Sequence, residues 1–489
     1  MQAFNKGFVY FICLVSAMGG LLFGYDWVVI GGAELFYEHF FCIQDSSLLQ
    51  GIAMSTALVG CLVGAMMAGG MADKYGRKPL LQMSAVLFTL SAIATGMFNN
   101  FTLFNIARFV GGVGIGIASA LAPMYIAEIS PSKIRGKLVS LNQMTIVLGI
   151  LAAQIVNHLL ARPIPLEIEV MQTSEEPALL TQYHEYMLGS WNGQMGWRWM
   201  FWAETLPAAL FLLMSFFIPE SPRWQAVGAS IDKNVERKNE KLAAARATLT
   251  RIGGRAYAET ELQNIRSAVE ADSRIEKGGL GTLFTKRYIA LLLLGVIIAV
   301  FQQWCGTNVI FNYATKIFAD AGYAVSAALF NIVITGIANV VFTFIALWAV
   351  DRLGRRTLML IGAGGLGLIY LILGTCFFFD LKGTLLVVLV VLAIGCYAMT
   401  LGPCTWVLLS EMFPNRIRGV AMATCTFALW IGCSTLTLTF PLMRDGMGAS
   451  GAFWIYSVIC LCGFLFFLRR LPETKGKSLE ELEKSLTTK

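Results

Sequence analysis

Between Phe301 and Tyr313 the chain reads FQQWCGTNVIFNY. The stretch lies in an apolar run over about 288–318, long enough to cross a bilayer, whose core takes about 20 apolar residues. Yet it carries four carboxamides, Gln302, Gln303, Asn308 and Asn312. In hydrocarbon such groups need partners, so they face a protein interior or a wet cavity. An amide donates and accepts and holds no charge. Several of them beside Trp304 and Tyr313 suit a neutral, hydroxyl-rich ligand such as a sugar. They equally suit plain adhesion between helices, and residue types alone leave both readings open. On an unbroken helix Asn308 points well over ~100° away from both glutamines. Gly306 is where the helix can break and turn them toward one site.

Ionisable residues are the second candidate group. Asp26, Arg108 and Glu204 fall inside apolar segments. A lone charge at the bilayer centre costs about 2.5–3.5 kcal/mol, and a partner or a proton removes much of that. A static buried ion pair is the competing reading. The histidines, His39, His158 and His184, read as surface residues near outer ends rather than proton relays. The eleven cysteines mostly stand singly in apolar segments and read as packing residues. No metal-ligand cluster, resident cofactor motif or nucleophile–base pairing stands out. Gly362–Gly367 matches G-x-G-x-x-G but follows a basic turn inside an apolar run, without the strand that dinucleotide binding needs. Gly111, Gly112, Gly114 and Gly116 read as a close-packing helix face. The full G-x-x-x-x-G-K-[ST] pattern of a nucleotide-binding loop is missing, so ATP-driven work is unsupported, and the chain does not read as an enzyme.

These residues need a scaffold, and composition sets its class. Of 489 residues 56% are hydrophobic and only 14% charged, where a soluble chain has about 25% charged. This is an all-α polytopic membrane protein. Twelve spans are predicted at about 8–35, 47–72, 79–98, 101–128, 138–160, 198–218, 288–318, 324–350, 357–379, 384–410, 417–442 and 450–468. The apolar N-terminus runs straight into Gly24-Tyr25-Asp26 and reads as a first span rather than a cleaved signal. Two connections are long: 162–197, rich in Glu, and 220–287, rich in Lys and Arg. Basic residues gather at Lys74–Lys78, Lys133–Lys137, 220–287, Arg352–Arg356 and Arg416–Arg418. The positive-inside rule makes that side, and with it both termini, cytoplasmic. The net charge of +7 is thus a topology signal and does not imply nucleic acid. Within 220–287, Leu262, Ile265 and Val269 recur at helical spacing and predict short amphipathic helices.

Three motifs occur twice in the same order. Asp73-Lys-Tyr-Gly-Arg-Lys78 after the second span returns as Asp351-Arg-Leu-Gly-Arg-Arg356 after the eighth. Glu128 with Ile134-Arg135-Gly136 returns as Glu411 with Ile417-Arg418-Gly419. Pro219-Glu220-Ser-Pro-Arg223 returns as Pro472-Glu473-Thr-Lys-Gly476. Such repetition predicts two similar six-helix halves, an architecture of transporters with the substrate midway between them. The expected units are 1–219, a linker 220–287, 288–470, and a tail 471–489. The charged members Asp73, Arg77, Glu128, Arg135, Glu220, Arg223, Asp351, Arg355, Glu411, Arg418 and Glu473 are expected to latch the halves together on the cytoplasmic face.

The D-x-x-G-R-[RK] pair, the two E…R-G segments, PESPRW and PETKG resemble the major facilitator superfamily, and within it the sugar porters, over nearly the whole chain. The resemblance implies a monosaccharide site built from Phe23, Gln143, Gln302, Gln303, Asn308, Asn339, Gly402, Trp406 and Trp430. It places Asp26 at the proton-carrying acid of the symporting members, with Arg108 as its partner and Glu204 tuning the pair. Facilitative members have a neutral residue at that first-helix position. Departures bear on specificity. The Tyr-Tyr usual at the outer gate is Asn312-Tyr313 here, and two glutamines of proton-coupled pentose members are Ile150 and Leu429. The implied activity is import of a pentose or hexose, xylose- or glucose-like, by proton symport with alternating access. The implied setting is a bacterial inner membrane, with the chain working as a monomer. A facilitative uniporter and a non-transporting sugar sensor are the rival readings.

Overall fold

The computed structural model describes residues 4–172, 176–232, 234–274, 280–285, 288–414 and 417–473. Arg416, the side chains of Val269 and Asp351, and the tail after Glu473 lie outside the described residues. Everything assigned is helical, as a bilayer-spanning backbone with no water to bond must be.

Among the described residues ten helices have the length and composition to cross a membrane. The first five are Lys6–Phe40, Ser47–Tyr75, Lys78–Met97, Phe101–Ile129 and Arg135–Leu160. Seventh, eighth, ninth and tenth spans begin at Ile289, Val325, Arg355 and Thr384. The helix Arg418–Arg470 is broken at Gly448, φ 71°, and supplies the eleventh and twelfth. The sixth span is two short pieces, Trp197–Trp202 and Thr205–Ser215, preceded by a π-helical turn at Asn192–Gly196. Pro207 explains the division: it has no N–H for the carbonyl of Ala203, and its ring crowds that oxygen. The acidic connection forms two small helices, Leu166–Gln172 and Pro177–Gly189.

The linker forms Pro222–Ile231 and Val235–Arg274, the latter broken at Gly254. Its apolar stripe, including Leu249, Ile252, Leu262 and Ile265, is buried. It is tied to the start of the first span. Asn5 N–H donates to the Ile252 carbonyl at 2.8 Å, Phe4 meets Tyr257 edge-on, and the Arg251 guanidinium lies 4.0 Å from the Phe8 ring.

Within the first half, helices approach to backbone contact. A Cβ on Gly24 would fall 1.9 Å from the Ile146 carbonyl oxygen, and one on Gly149 would fall 2.0 Å from that of Leu21. First and fifth spans therefore lock along their whole middle. The halves meet at the end that carries the acidic connection. There Thr315 donates to the Gly31 carbonyl at 2.6 Å, and the carbonyl of Asn312 sits beneath Gly31. Glu169 accepts from the Val325 N–H at 3.1 Å, capping the eighth span from the opposite half.

The close approach has a direct test. Gly149→Val should force the first and fifth helices apart at about 1–3 kcal/mol, lowering the unfolding temperature of purified protein in detergent. Gly136→Val, at a glycine with open space around it, should leave that temperature unchanged.

Candidate functional site

The break at Gly306 organises the site. Gly306 sits at φ 89°, a left-handed conformation, with the Tyr456 ring where a Cβ would go. It divides the seventh span into Ile289–Trp304, Thr307–Asn312 and Ala314–Asp320. The turn brings Asn308 back toward the glutamines, as the sequence required. Asn308 Nδ2 donates to Gln303 Oε1, Gln303 Nε2 to Gln302 Oε1 at 2.8 Å, and Gln302 Nε2 to the Tyr397 hydroxyl at 2.5 Å. All three amides are buried. Tyr397 was missed from sequence; its signal was a lone phenol in the aliphatic run of the tenth span, five residues before Gly402.

An aromatic cluster joins the two halves. Phe23 and Trp27 are 5.5 Å apart and both face Trp430, at 6.3 and 5.9 Å between ring centres. Trp27, also missed, lies beside Asp26 on the first span. Gln143 is half-buried, Asn339 buried and Trp406 40% exposed. Gly402 adjoins the Tyr397 ring, 3.4 Å from where a Cβ would stand, while Gln143, Asn339 and Trp406 make no hydrogen bond to the amide chain among the described residues. Asn312 and Tyr313 are buried, and Tyr313 donates to the Thr437 carbonyl at 2.7 Å. That contact fixes the seventh span to the eleventh within one half.

Asp26 and Arg108 form a buried ion pair, their side chains 3% and 2% exposed. Arg108 also donates to the Asp26 backbone carbonyl at 3.3 Å and lies 5.4 Å from the Phe201 ring. Asp26 Oδ2 and Glu204 Oε1 are buried with no hydrogen-bond partner among the described residues. Glu204 lies near enough to feel both members of the pair. One cation thus serves two dry carboxyls, an arrangement suited to holding a proton.

A third polar cluster escaped the sequence reading. Lys316 of the seventh span contacts Glu34 at 3.1 Å, Glu38 at 2.7 Å and Gln50 Oε1 at 2.7 Å. All four are buried. Nearby Arg444 grips Asp320 through two bonds of 2.8 and 2.6 Å. A cavity of about 510 Å³ opens beside them, lined in part by His184, Asp45 and Asp445. His39 is a correction: it is buried, with Nδ1 2.8 Å from Nδ1 of His184. His158 and His184 are half-buried. The small outer helix carrying Tyr183 and His184 covers His39, which a reading of the first span alone does not show.

The motif charges pair differently from the expected latch. Arg77 holds Glu128 at 2.9 and 3.0 Å, and Ser221 donates to Glu128 at 2.5 Å. Glu220 accepts the N–H groups of Arg77 and Lys78 at 3.0 and 3.2 Å. The second half repeats this: Arg355 meets Glu411 at 3.1 Å, and Glu473 accepts from the N–H groups of Arg355 and Arg356 at 3.0 and 3.2 Å. Arg135 and Arg418 donate to the carbonyls of Ser130 and Phe413, while Asp73 and Arg223 are exposed. These contacts brace each half internally. The physical reason is capping: each Glu satisfies the otherwise orphaned N–H groups starting its own half's third helix.

Fold, repeat and buried polar site together define a membrane transporter of two six-helix bundles. The chain matches the family described as Sugar (and other) transporter over residues 12–486 and belongs to it. Among its relatives, the arabinose-proton symporter of Bacillus subtilis is 34% identical over 484 residues, spanning 99% of this chain and 96% of that one. The D-xylose-proton symporter of Escherichia coli is 35% identical over 510 residues, spanning 98% and 96%. The inward open conformation of the xylose transporter XylE from E. coli superimposes with a TM-score of 0.79 at 32% identity, covering 98% of this chain and 100% of that one.

Gly306→Ala should destabilise the fold by roughly 1–3 kcal/mol, because any Cβ adds left-handed strain and meets Tyr456. A thermal melt of purified protein followed by intrinsic fluorescence checks it.

Proposed function

We propose that this protein imports a monosaccharide, a pentose or hexose, together with a proton across a bacterial inner membrane. The observation that carries the sugar reading is the buried chain Asn308–Gln303–Gln302–Tyr397, together with the Phe23–Trp27–Trp430 cluster between the halves. Amides bonded to one another can exchange those bonds for sugar hydroxyls, and ring faces pack on sugar C–H surfaces. Gln143, Asn339, Gly402 and Trp406 are the walls onto which the halves close as they rock. Asn312 and Tyr313 gate the end carrying the acidic connection. The units 1–219 and 288–470 move as the two halves, joined by 220–287. Termini and linker face the cytoplasm, as the basic loops require.

The coupling reading rests on Asp26, Arg108 and Glu204. Asp26 takes a proton from the outside, which loosens its hold on Arg108. Sugar binds, the halves rock, and the proton leaves toward the less acidic cytoplasm. One proton crossing ~100 mV contributes about 2.3 kcal/mol. At about 1.4 kcal/mol per tenfold, that sustains roughly 50-fold accumulation. The two named relatives are proton symporters, which favours coupling over a facilitative uniporter.

Uptake of a panel of pentoses and hexoses into proteoliposomes, with and without an imposed pH difference, tests both parts. Asp26→Asn should abolish uphill uptake while sugar exchange continues; joint loss of both would make Asp26 structural. Tyr397→Phe leaves Gln302 without its partner and should change apparent sugar affinity roughly tenfold, at about 1–2 kcal/mol. Gln303→Ala should weaken binding at least as much. Unaltered binding in both variants would exclude the amide chain as the site.

A further inference from the structure

We propose that the Glu34–Glu38–Lys316 cluster is a proton-linked lock: closing the outer seam takes up one external proton onto the glutamate pair. This rests on the orientation and rocking motion proposed above and adds a site distinct from Asp26.

The argument is one of charge balance. Glu34 and Glu38, four residues apart, share a face of the first span. Their side chains are 0% and 5% exposed, and Lys316 is 7% exposed. Two carboxyl groups thus share one ammonium, with Glu38 and Lys316 on the wall of the outer cavity and Glu34 fully buried. Gln50 uses another Lys316 proton but brings no charge. Arg444 of the eleventh span does not supply the missing cation, because Asp320 holds it bidentately and Asp445 lies 4.0 Å away. His39 and His184 bond through their Nδ1 atoms, so at least one ring offers a bare nitrogen and the pair is not doubly charged. The phenols facing the cluster, Tyr37 and Tyr313, are neutral, and the Tyr37 hydroxyl is buried without a partner among the described residues. Glu34 Oε2 likewise has none. The closed cluster therefore carries one uncompensated negative charge unless a carboxyl is protonated.

The lock joins the halves. Lys316 belongs to the second, and Glu34, Glu38 and Gln50 to the first. Opening the seam exposes the carboxyls to water, where ordinary carboxylates ionise near pH 4. The closed state therefore binds one more proton than the open state. By linkage, external acid holds the seam shut and external alkali opens it. The proton enters from and returns to the outer side, so it biases the cycle without adding to the transported stoichiometry.

The test reads seam opening directly. Thr315→Cys, set at the seam beside Gly31, is labelled from outside with a membrane-impermeant thiol reagent in right-side-out vesicles of the full chain. Its rate is divided by that of exposed Cys42 in the same sample, which cancels the pH dependence of the thiol. The corrected rate should fall at least fivefold between about pH 8.5 and about pH 6.5, one linked proton allowing at most about tenfold per unit. The Gln variants separate the glutamates from the neighbouring histidines, because pH dependence arising from the histidines would survive them. Adding Glu38→Gln, which still accepts from Lys316, makes the cluster neutral without a proton. Labelling should then be slow at both pH values. Glu34→Gln carries the same neutralisation if the first variant fails to reach the membrane. A parent whose corrected rate is the same at both pH values overturns the proposal, as does full pH dependence in the Gln variants. Proton-driven uptake is measured in the same vesicles; its absence would count against symport, while the labelling rates would still decide for or against the lock.

Discussion

A polar group inside hydrocarbon has no water to fall back on, so every buried amide and charge here must be answered by another part of the chain. The three interior clusters answer in different ways. The amides from Gln302 to Asn308 satisfy one another in series and end on a phenol. Asp26 and Arg108 satisfy one another but leave carboxyl oxygens over. Glu34 and Glu38 outnumber their cation. The first is neutral and can trade partners. In the other two, carboxyl groups outnumber the cation that faces them, and the proposed proton linkages rest on that imbalance.

The repeated motifs follow the same constraint at the membrane edge. Glu220 and Glu473 each cap a helix start, and Arg77 and Arg355 reach to the acids near the ends of the fourth and tenth spans. Chemistry repeated at equivalent points makes each half stiff on its own account. Relative motion is then left to the seam, where Gly51 lies against the Leu438 carbonyl and Gly336 against the Gln154 side chain.

Much of this was legible in the sequence. Apolar length gave the spans, the duplicated motifs gave the halves, and Gly306 explained how Asn308 could join residues on the far side of its helix. The failures have physical causes. Glu34, Glu38 and Lys316 stand at or near the ends of apolar runs, where a charge usually reaches the interface and needs no explanation. Only the packing of the first span against the seventh shows them to be buried. The motif charges were assigned across the halves because composition records that opposite charges are available, not which helix start lies nearest. His39 looked superficial because what covers it comes from a connection of no obvious structure. The sixth span looked continuous because Pro207 sits among apolar residues that mask its effect on the backbone.

The glycine contacts between the first and fifth helices reach further than packing. Gly24 precedes Asp26 by two positions, and Gly149 follows Gln143 by six. With carbonyls pressed against both glycines, the two helices form a single plank, and the acid and the amide are mounted on it at a fixed spacing. Whatever displaces one must carry the other along, so a tilt of this plank is felt at both positions in the same instant.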